Sequence, residues 1–542
     1  MTRRIPDIRT PGPPSFLELM RAAVDATGGE PAFDAAFLAS RQGRWGRNGD
    51  VGVDVSLGPC SCGTTHLHRR CRPPRLNPLS ASAGFSLPER FESPADSPYG
   101  RRMTEFPPIA DPQIAALAAA EDARLADGLS LIPSENHAST AVRAALATRF
   151  GDKYAEGYPG ARYYPGTDVV DQLETLVQDR AKALFGVPYA NVQPYSGSMA
   201  NLAVHLALLQ PGDAVMGLDL AAGGHLSHGW KHNISGQYWR RVPYGVQPDG
   251  SFDLDAIRAQ ALAEKPKLIW VGGTALPRVV PWGAFGDIAD ACGAWLAADI
   301  SHTAGLVAGG VLEHPAPHVD LMTTTTHKTL RGPRGAMVLV TSRGLAKDGK
   351  LASWIDKAII PGLQGGPHLN AVAGIGVALG EASGPAFRSY AAHVVANARG
   401  LADALMGHGF RLVTGGTNTH LVLIDLTTEG PGRGAWLEAA LDRIGLSANR
   451  NTIPGEPSSP LWPSGLRLGT PAATTRGMGP AEMPQIAAWI AEAWSRIRHI
   501  PMPEAPTERT GALAAFRTTL ATPEWDTLRD DVQALCRHFP LP

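Results

Sequence analysis

The sequence predicts an α/β protein: a large domain built on a mostly parallel, mixed sheet covered by helices, followed by a smaller α+β C-terminal domain. Three observations carry this expectation. Continuous apolar, β-rich runs recur through the middle of the chain: "DAVMGLDL", "KLIWVGG", "AWLAADI", "DLMTTTT", "AMVLVTS" and "HLVLIDL". Helix-like stretches separate them, and strands that are apolar on both faces and spaced by helices belong to a doubly covered parallel sheet. Past about residue 380, long helical sequence such as "YAAHVVANARGLADALMGHG" leads into a region of mixed pattern.

Residues 1–102 differ from everything after them. They hold fourteen arginines, ten acidic residues and no lysine, and "RCRPPRLNPLSASAG" shows no sustained helical or strand period. The segment reads as a leader without fixed structure, apart from one short helix at "FLELMRAAVDA". No apolar core follows the early arginines, as a secretory signal would require, and the acidic residues argue against an organellar presequence. Cys60, Cys62, His66, His68 and Cys71 lie close together in it, but the C-x-C opening departs from the usual zinc-knuckle spacing, so no metal is expected. From Met103 the pattern becomes regular, beginning with the helical "PQIAALAAAEDARLADGL".

Composition narrows the function. With 44% hydrophobic and 18% charged residues the chain matches ordinary globular proteins, and a net charge of −1 excludes a broad electrostatic partner such as nucleic acid or an anionic membrane. No apolar run approaches the roughly 20 residues that span a bilayer. Five cysteines form no disulfide framework, which fits a reducing cytoplasm.

In open α/β sheets, reactive groups gather at the carboxyl ends of strands. "KLIWVGGT" delivers Thr274, "AWLAADISH" delivers Asp299 and His302, and "DLMTTTTHK" delivers His327 and Lys328. The chain holds nine lysines against forty arginines, so a lysine at such a place is notable. Arginine supplies charge but cannot deprotonate, whereas a lysine partly desolvated near Arg334 can lose its proton and attack a carbonyl. Read alone, Lys328 is equally a surface lysine on a loop. "QPYSGSMANLAVHLALL" places a Ser-Gly-Ser turn, residues 196 to 198, at a helix start, a site for phosphate or simply a serine cap. Asp299, buried at a strand end, needs a cationic partner. An amine for an aldehyde, a carboxylate for a ring nitrogen and a helix start for a phosphate are jointly the needs of pyridoxal 5'-phosphate.

The ordered motifs "LIPSENHAS", "DKYAEGYPGARYYPG", "NVQPYSGSMAN", "GGHLSHG", "ADISHTAGL", "TTTTHKTLRGPRG", "PGLQGGP" and "SGLRLGTPA" make residues 103 to 542 resemble the serine hydroxymethyltransferases. The resemblance implies the aspartate-aminotransferase-like type I fold of pyridoxal-phosphate enzymes. It divides the chain into a leader (1–102), an N-terminal arm (103–160), a large cofactor domain (161–380) and a small domain (381–542). It implies a dimer or tetramer whose sites straddle subunits. Serine and tetrahydrofolate would give glycine and methylenetetrahydrofolate.

Residue by residue, the resemblance makes Lys328 the Schiff-base lysine, with His327 beside it, and pairs Asp299 with the pyridine nitrogen. His225 would stack over the ring, Ser196, Gly197 and Ser198 would hold the phosphate, and Tyr164 and Gly366 would reach it from the neighbouring subunit. Thr274 and His302 would face the phenolic oxygen. Arg467, assisted by Ser134, would grip the substrate carboxylate. Glu156 would handle protons near the serine hydroxyl and the folate, with Tyr154 its neighbour. Leu220, Gly224, Leu226, Asn451 and Ser459 would line the folate pocket. The chain departs from the family pattern at Thr274, Leu276, Tyr195, Met199, Ser301 and Asn370, which leaves open a related enzyme on the same scaffold, such as an α-methylserine hydroxymethyltransferase or a threonine-type transaldolase. A silent binding protein on this fold is the remaining reading, against which Lys328, Asp299 and Arg467 stand intact.

Overall fold

The computed structural model describes residues 109–542, so the leader, its short helix and the Cys/His cluster lie outside the described residues. The first helix, α1 (Pro112–Asp127), starts as its sequence dictates. Asp111 caps it by accepting from the N–H groups of Gln113 and Ile114, and Pro112 takes the first helical position, where no N–H is needed.

Seven strands make the main sheet: β1 (Tyr189–Asn191), β2 (Ala214–Leu218), β3 (Arg240–Tyr244), β4 (Leu268–Val271), β5 (Trp295–Asp299), β6 (Leu321–Thr325) and β7 (Ala336–Val340). Their spatial order is β1-β7-β6-β5-β4-β2-β3. Strands β3, β2, β4, β5 and β6 run parallel, while β7 is antiparallel to both β6 and β1. Alternate side chains serve two cores. Met216, Ile269, Leu296 and Met322 face one, and Val215, Trp270, Ala297 and Leu321 the other. That double burial explains why these strands read as unbroken apolar runs. Two strands escaped the sequence reading for physical reasons. β1 is three residues long, and β3 carries Pro243, which is tolerated because β3 is an edge strand.

A second, antiparallel sheet has the order β8-β9-β11-β10, from β8 (Arg411–Leu412), β9 (Leu421–Asp425), β10 (Asn449–Asn451) and β11 (Gly465–Gly469). Its core includes Trp436, Ile424, Leu466 and Ile490. Leu129 and Leu131 join that same core, and Leu129–Ser130 pairs in parallel with Leu446–Ser447. The start of the segment expected as an arm is therefore built into the C-terminal core, a contact across more than three hundred residues that no local pattern reveals.

A hairpin at residues 157–162 precedes the helix α2 (Asp168–Phe185) and is pinned by one buried arginine. Arg162 donates to Asp171 (2.9 Å), to Glu174 (2.7 Å) and to the carbonyls of Ala155 and Gly157, on either side of Glu156. Glu174 is itself fully buried and also accepts from Gln193 at 2.8 Å. Removing one partner of such a pair leaves an uncompensated charge. Arg162→Ala is expected to lower the unfolding free energy by about 3–5 kcal/mol, read as a drop in the denaturation midpoint. Adding Glu174→Leu should recover much of the loss, and no recovery would place the cost elsewhere.

Candidate active site

The carboxyl ends of β4, β5 and β6 converge on one cavity of about 180 Å³, lined among others by Asp299, His302, His327 and Lys328. Parallel pairing sets Asp299 opposite Thr323, which brings the aspartate strand alongside the strand that runs on to the lysine. Asp299 is buried and heavily bonded. Its Oδ2 accepts from Asn201 Nδ2 (2.9 Å) and lies 3.0 Å from His228 Nε2, and its Oδ1 accepts from the Ser301 N–H (3.0 Å). Burial alone would raise its pKa. The hydrogen bond from His228 and the positive charge of Lys328 outweigh that, so the carboxyl stays ionised far below the ordinary range.

A chain of buried groups fixes this arrangement. His228 stacks flat on Trp270, at 4.9 Å and 5°. The Trp270 indole donates to His205 Nε2 (3.2 Å), and His205 Nδ1 lies 3.0 Å from the Asn201 carbonyl. Thr323 donates to Asn201 Oδ1 at 2.6 Å. His225, His228 and Asp299 do bring ligand atoms within 4.8 Å of one another. His225 Nδ1 is spent on Ser227 (2.6 Å) and His228 Nε2 on Asp299, so the trio is a hydrogen-bonded set.

Burial pushes the Lys328 amine down to about 8, with Arg467 and Arg334 adding to the effect and Asp299 opposing it. Near neutrality this amine is therefore readily deprotonated. The neighbouring histidines are neutral: burial, then the charge of Lys328 and Arg334, takes His327 to about 3. Burial with His228 takes His225 to about 4, Asp299 opposing and Lys328 adding. Arg467, in the middle of β11, donates Nε to Asn449 (3.1 Å) and Nη1 to the Thr274 carbonyl. These two contacts aim the guanidinium and leave Nη2 without a partner among the described residues, able to meet a ligand carboxylate.

At the third side of the cavity, Ser196 caps α3 (Gly197–Leu208), accepting from the Met199 N–H at 3.5 Å. The N–H groups of Gly197 and Ser198 take no partner among the described residues, as is usual at a helix start. A side chain on Gly197 would put its Cβ 2.7 Å from Thr325 Cγ2, so only glycine lets this turn sit against β6. His327 Nδ1 is buried without a partner among the described residues. A buried, deprotonatable amine, an ionised carboxylate and an open helix start around one space fit the aldehyde, ring nitrogen and phosphate of pyridoxal 5'-phosphate.

Other expected residues fall into two groups. Thr274 donates to the carbonyl of Gly224 (3.2 Å), and Leu220, Gly224 and Leu226 flank His225 in the turns after β2. Gly224 is compelled, since a Cβ there would lie 1.9 Å from the Leu218 carbonyl oxygen. Ser134 is half-buried beside Pro133, which packs on Gly469. Asn451 ends β10 and Ser459 lies in the loop beyond, and neither lines the cavity. Tyr154, Glu156, Tyr164 and Gly366 form a separate cluster off the cavity. A Cβ on Gly366 would lie 3.6 Å from the Tyr154 ring and 3.7 Å from Glu156 Cγ, and the rings of Tyr154 and Tyr164 are 5.3 Å apart. A larger groove, about 800 Å³, holds Leu276 and Arg278 but neither the lysine nor the aspartate.

Sequence reasoning missed His228, Asn201, His420 and Asn449. His228 carried a signal, since it follows His225 by three residues in "GGHLSHG". The others stand on distant elements and show nothing locally.

The doubly covered mixed sheet and its lysine–aspartate cavity define the class: a type I pyridoxal-phosphate-dependent enzyme. Residues 108–490 match the family model described as serine hydroxymethyltransferase. A serine hydroxymethyltransferase of Acidothermus cellulolyticus is 51% identical over 433 residues, covering 80% of this chain and 96% of that protein. Those of Sorangium cellulosum and Acidobacterium capsulatum are 50% and 47% identical, covering 80% and 79% of this chain and 95% and 97% of theirs. The chain belongs to the serine hydroxymethyltransferase family.

The perturbed lysine has a direct consequence. Cofactor-free protein should capture pyridoxal phosphate at a rate that climbs with pH and levels off above about 8, because only the neutral amine attacks the aldehyde. The visible absorbance of the bound cofactor follows it, and a flat profile across the neutral range would contradict the assignment.

Proposed function

We propose that this protein interconverts L-serine and glycine, passing the one-carbon unit to and from tetrahydrofolate, with pyridoxal 5'-phosphate as bound cofactor. The observation that carries the proposal is a buried amine of depressed pKa in the same cavity as the ionised Asp299 and close enough to Arg467 to feel its charge. Lys328 holds the cofactor aldehyde and later moves a proton at its Nζ, with His327 packed beside it. Asp299 keeps the ring nitrogen protonated, and His225 covers the ring. Ser196, Gly197 and Ser198 hold the phosphate. Thr274 and His302 attend the phenolic oxygen. Arg467, with Ser134, orients the substrate carboxylate. When bound, the cofactor supplies the electron sink that lets the bond between the α and β carbons break. Leu220, Gly224, Leu226, Asn451 and Ser459 line the folate side.

Glu156 holds the proton exchanged with the serine hydroxyl or the folate, with Tyr154 beside it. The cluster of Glu156, Tyr154, Tyr164 and Gly366 sits off its own cavity, and Tyr154 and Tyr164 are exposed. This supports a dimer, alone or within a tetramer, in which each subunit lends the cluster to the other's site. The same reading divides the chain into leader, arm, large domain and small domain near residues 102, 160 and 380, and puts it in the cytoplasm. No described helix is long and apolar enough to cross a membrane.

Purified protein should release glycine from serine in a strictly folate-dependent way. Comparison with α-methylserine and threonine, each with and without tetrahydrofolate, separates this activity from its relatives. Folate-independent cleavage of threonine as the preferred reaction would overturn the proposal. Lys328→Ala should fold and lose turnover.

Shared sites predict complementation. Lys328→Ala and Glu156→Gln, each inactive alone, should regain about one quarter of normal activity when mixed and allowed to exchange subunits, since half the dimers then carry one intact site. Sites confined to single subunits would give no recovery.

A further inference from the structure

His302 lines the cavity just past β5, and its Nδ1 lies 3.1 Å from Nε2 of His420, the residue before β9. Both rings are buried, with centroids 5.3 Å apart. Burial first, then the charges of Lys328 and Arg467, with the histidines themselves adding for His302, keep both rings neutral: His302 well below its ordinary value, His420 at about 3. Two neutral imidazoles sharing one hydrogen bond have two arrangements. If His302 donates, its Nε2 is bare toward the cavity. If His420 donates, His302 must carry its own proton on Nε2.

The other nitrogen of His420 decides between them. Its Nδ1 is buried with no partner among the described residues. A buried N–H left without an acceptor is the rarer and costlier orphan, so the His420 proton belongs on Nε2. His228 repeats the arrangement: its Nδ1 is also buried and unpartnered, and its Nε2 faces the Asp299 carboxylate, which can only accept. We propose that His420 is a positioning residue that donates to His302 Nδ1 and thereby fixes His302 as an Nε2–H donor into the cavity, toward an anionic oxygen of the bound cofactor. The identity of that oxygen rests on the proposed function, whereas the proton's position does not.

Nitrogen-15 spectroscopy of histidine-labelled wild-type protein, unloaded and loaded with pyridoxal phosphate, reads the tautomers directly. The expected result is a protonated Nε2 on both rings and a bare Nδ1 on both. A protonated Nδ1 on His302 would overturn the proposal. In the loaded protein, His420→Leu removes the donor, while His420→Gln keeps a side-chain N–H. Without the donor the His302 ring loses the bond that aims it, its Nε2–H bond to the cofactor oxygen weakens and that oxygen becomes more basic, so the spectroscopic pKa of the bound cofactor should rise by about one pH unit in the Leu variant and stay unchanged in the Gln variant. An unshifted Leu variant, or a Gln variant shifted as far, would also overturn it. Protein that binds no pyridoxal phosphate refutes the functional reading instead, and the unloaded nitrogen spectrum still decides the tautomer.

Discussion

A negative charge held at the end of β5 is the constraint around which the site is organised. A carboxylate as buried as Asp299 is costly to ionise, and it stays ionised because Asn201, His228 and the Ser301 N–H all point at it. Each of those partners is held in turn. Asn201 is set by Thr323, His228 by its stacking on Trp270, and Trp270 by its bond to His205. The charge therefore depends on residues from four elements, and so does the amine that faces it. Without Asp299, burial and the cations beside Lys328 would depress that amine still further, because Asp299 is the group that raises its pKa.

The run of threonines ahead of Lys328 has the same logic. Strand β6 is fully buried, so every hydroxyl on it must find a partner or cost free energy. Thr323 finds Asn201, Thr324 the Thr325 carbonyl and Thr325 the Ser301 carbonyl, and just past the strand Thr326 finds the Pro333 carbonyl and Thr329 the His302 carbonyl. Valine there would satisfy the strand and abandon the network. The threonines thus do two things at once: their branched Cβ keeps the backbone extended, and their oxygens tie β6 to β5, to α3 and to the turn that follows.

How far the sequence revealed this depended on how local each cause is. The central strands were legible because two-sided burial makes them apolar throughout, and α1 because its cap and proline are adjacent in sequence. The strand-end residues Asp299, His302 and Lys328 were legible because a parallel sheet delivers reactive groups there. The pairing of Leu129 with Leu446, the bond from His420 to His302 and the aiming of Arg467 by Asn449 were not. Each joins residues far apart in the chain, and each partner taken alone is an unremarkable leucine, histidine or asparagine. Motif resemblance supplied some of these positions but not their contacts.

The balance of charge in the cavity constrains what its histidines can do. Among the described residues, Lys328, Arg334 and Arg467 bring three cationic groups to this region against Asp299, the one carboxylate that lines the cavity. Such a space favours an anionic occupant, and a phosphate together with a substrate carboxylate would restore the balance. A histidine placed there cannot add a fourth positive charge cheaply, which is why burial and the nearby cations keep His225, His302, His327 and His420 neutral. Neutral imidazoles work by shape and by the placement of one proton each. What distinguishes one such site from another is then less the charge it presents than which ring nitrogen carries hydrogen, and that is settled by partners outside the cavity.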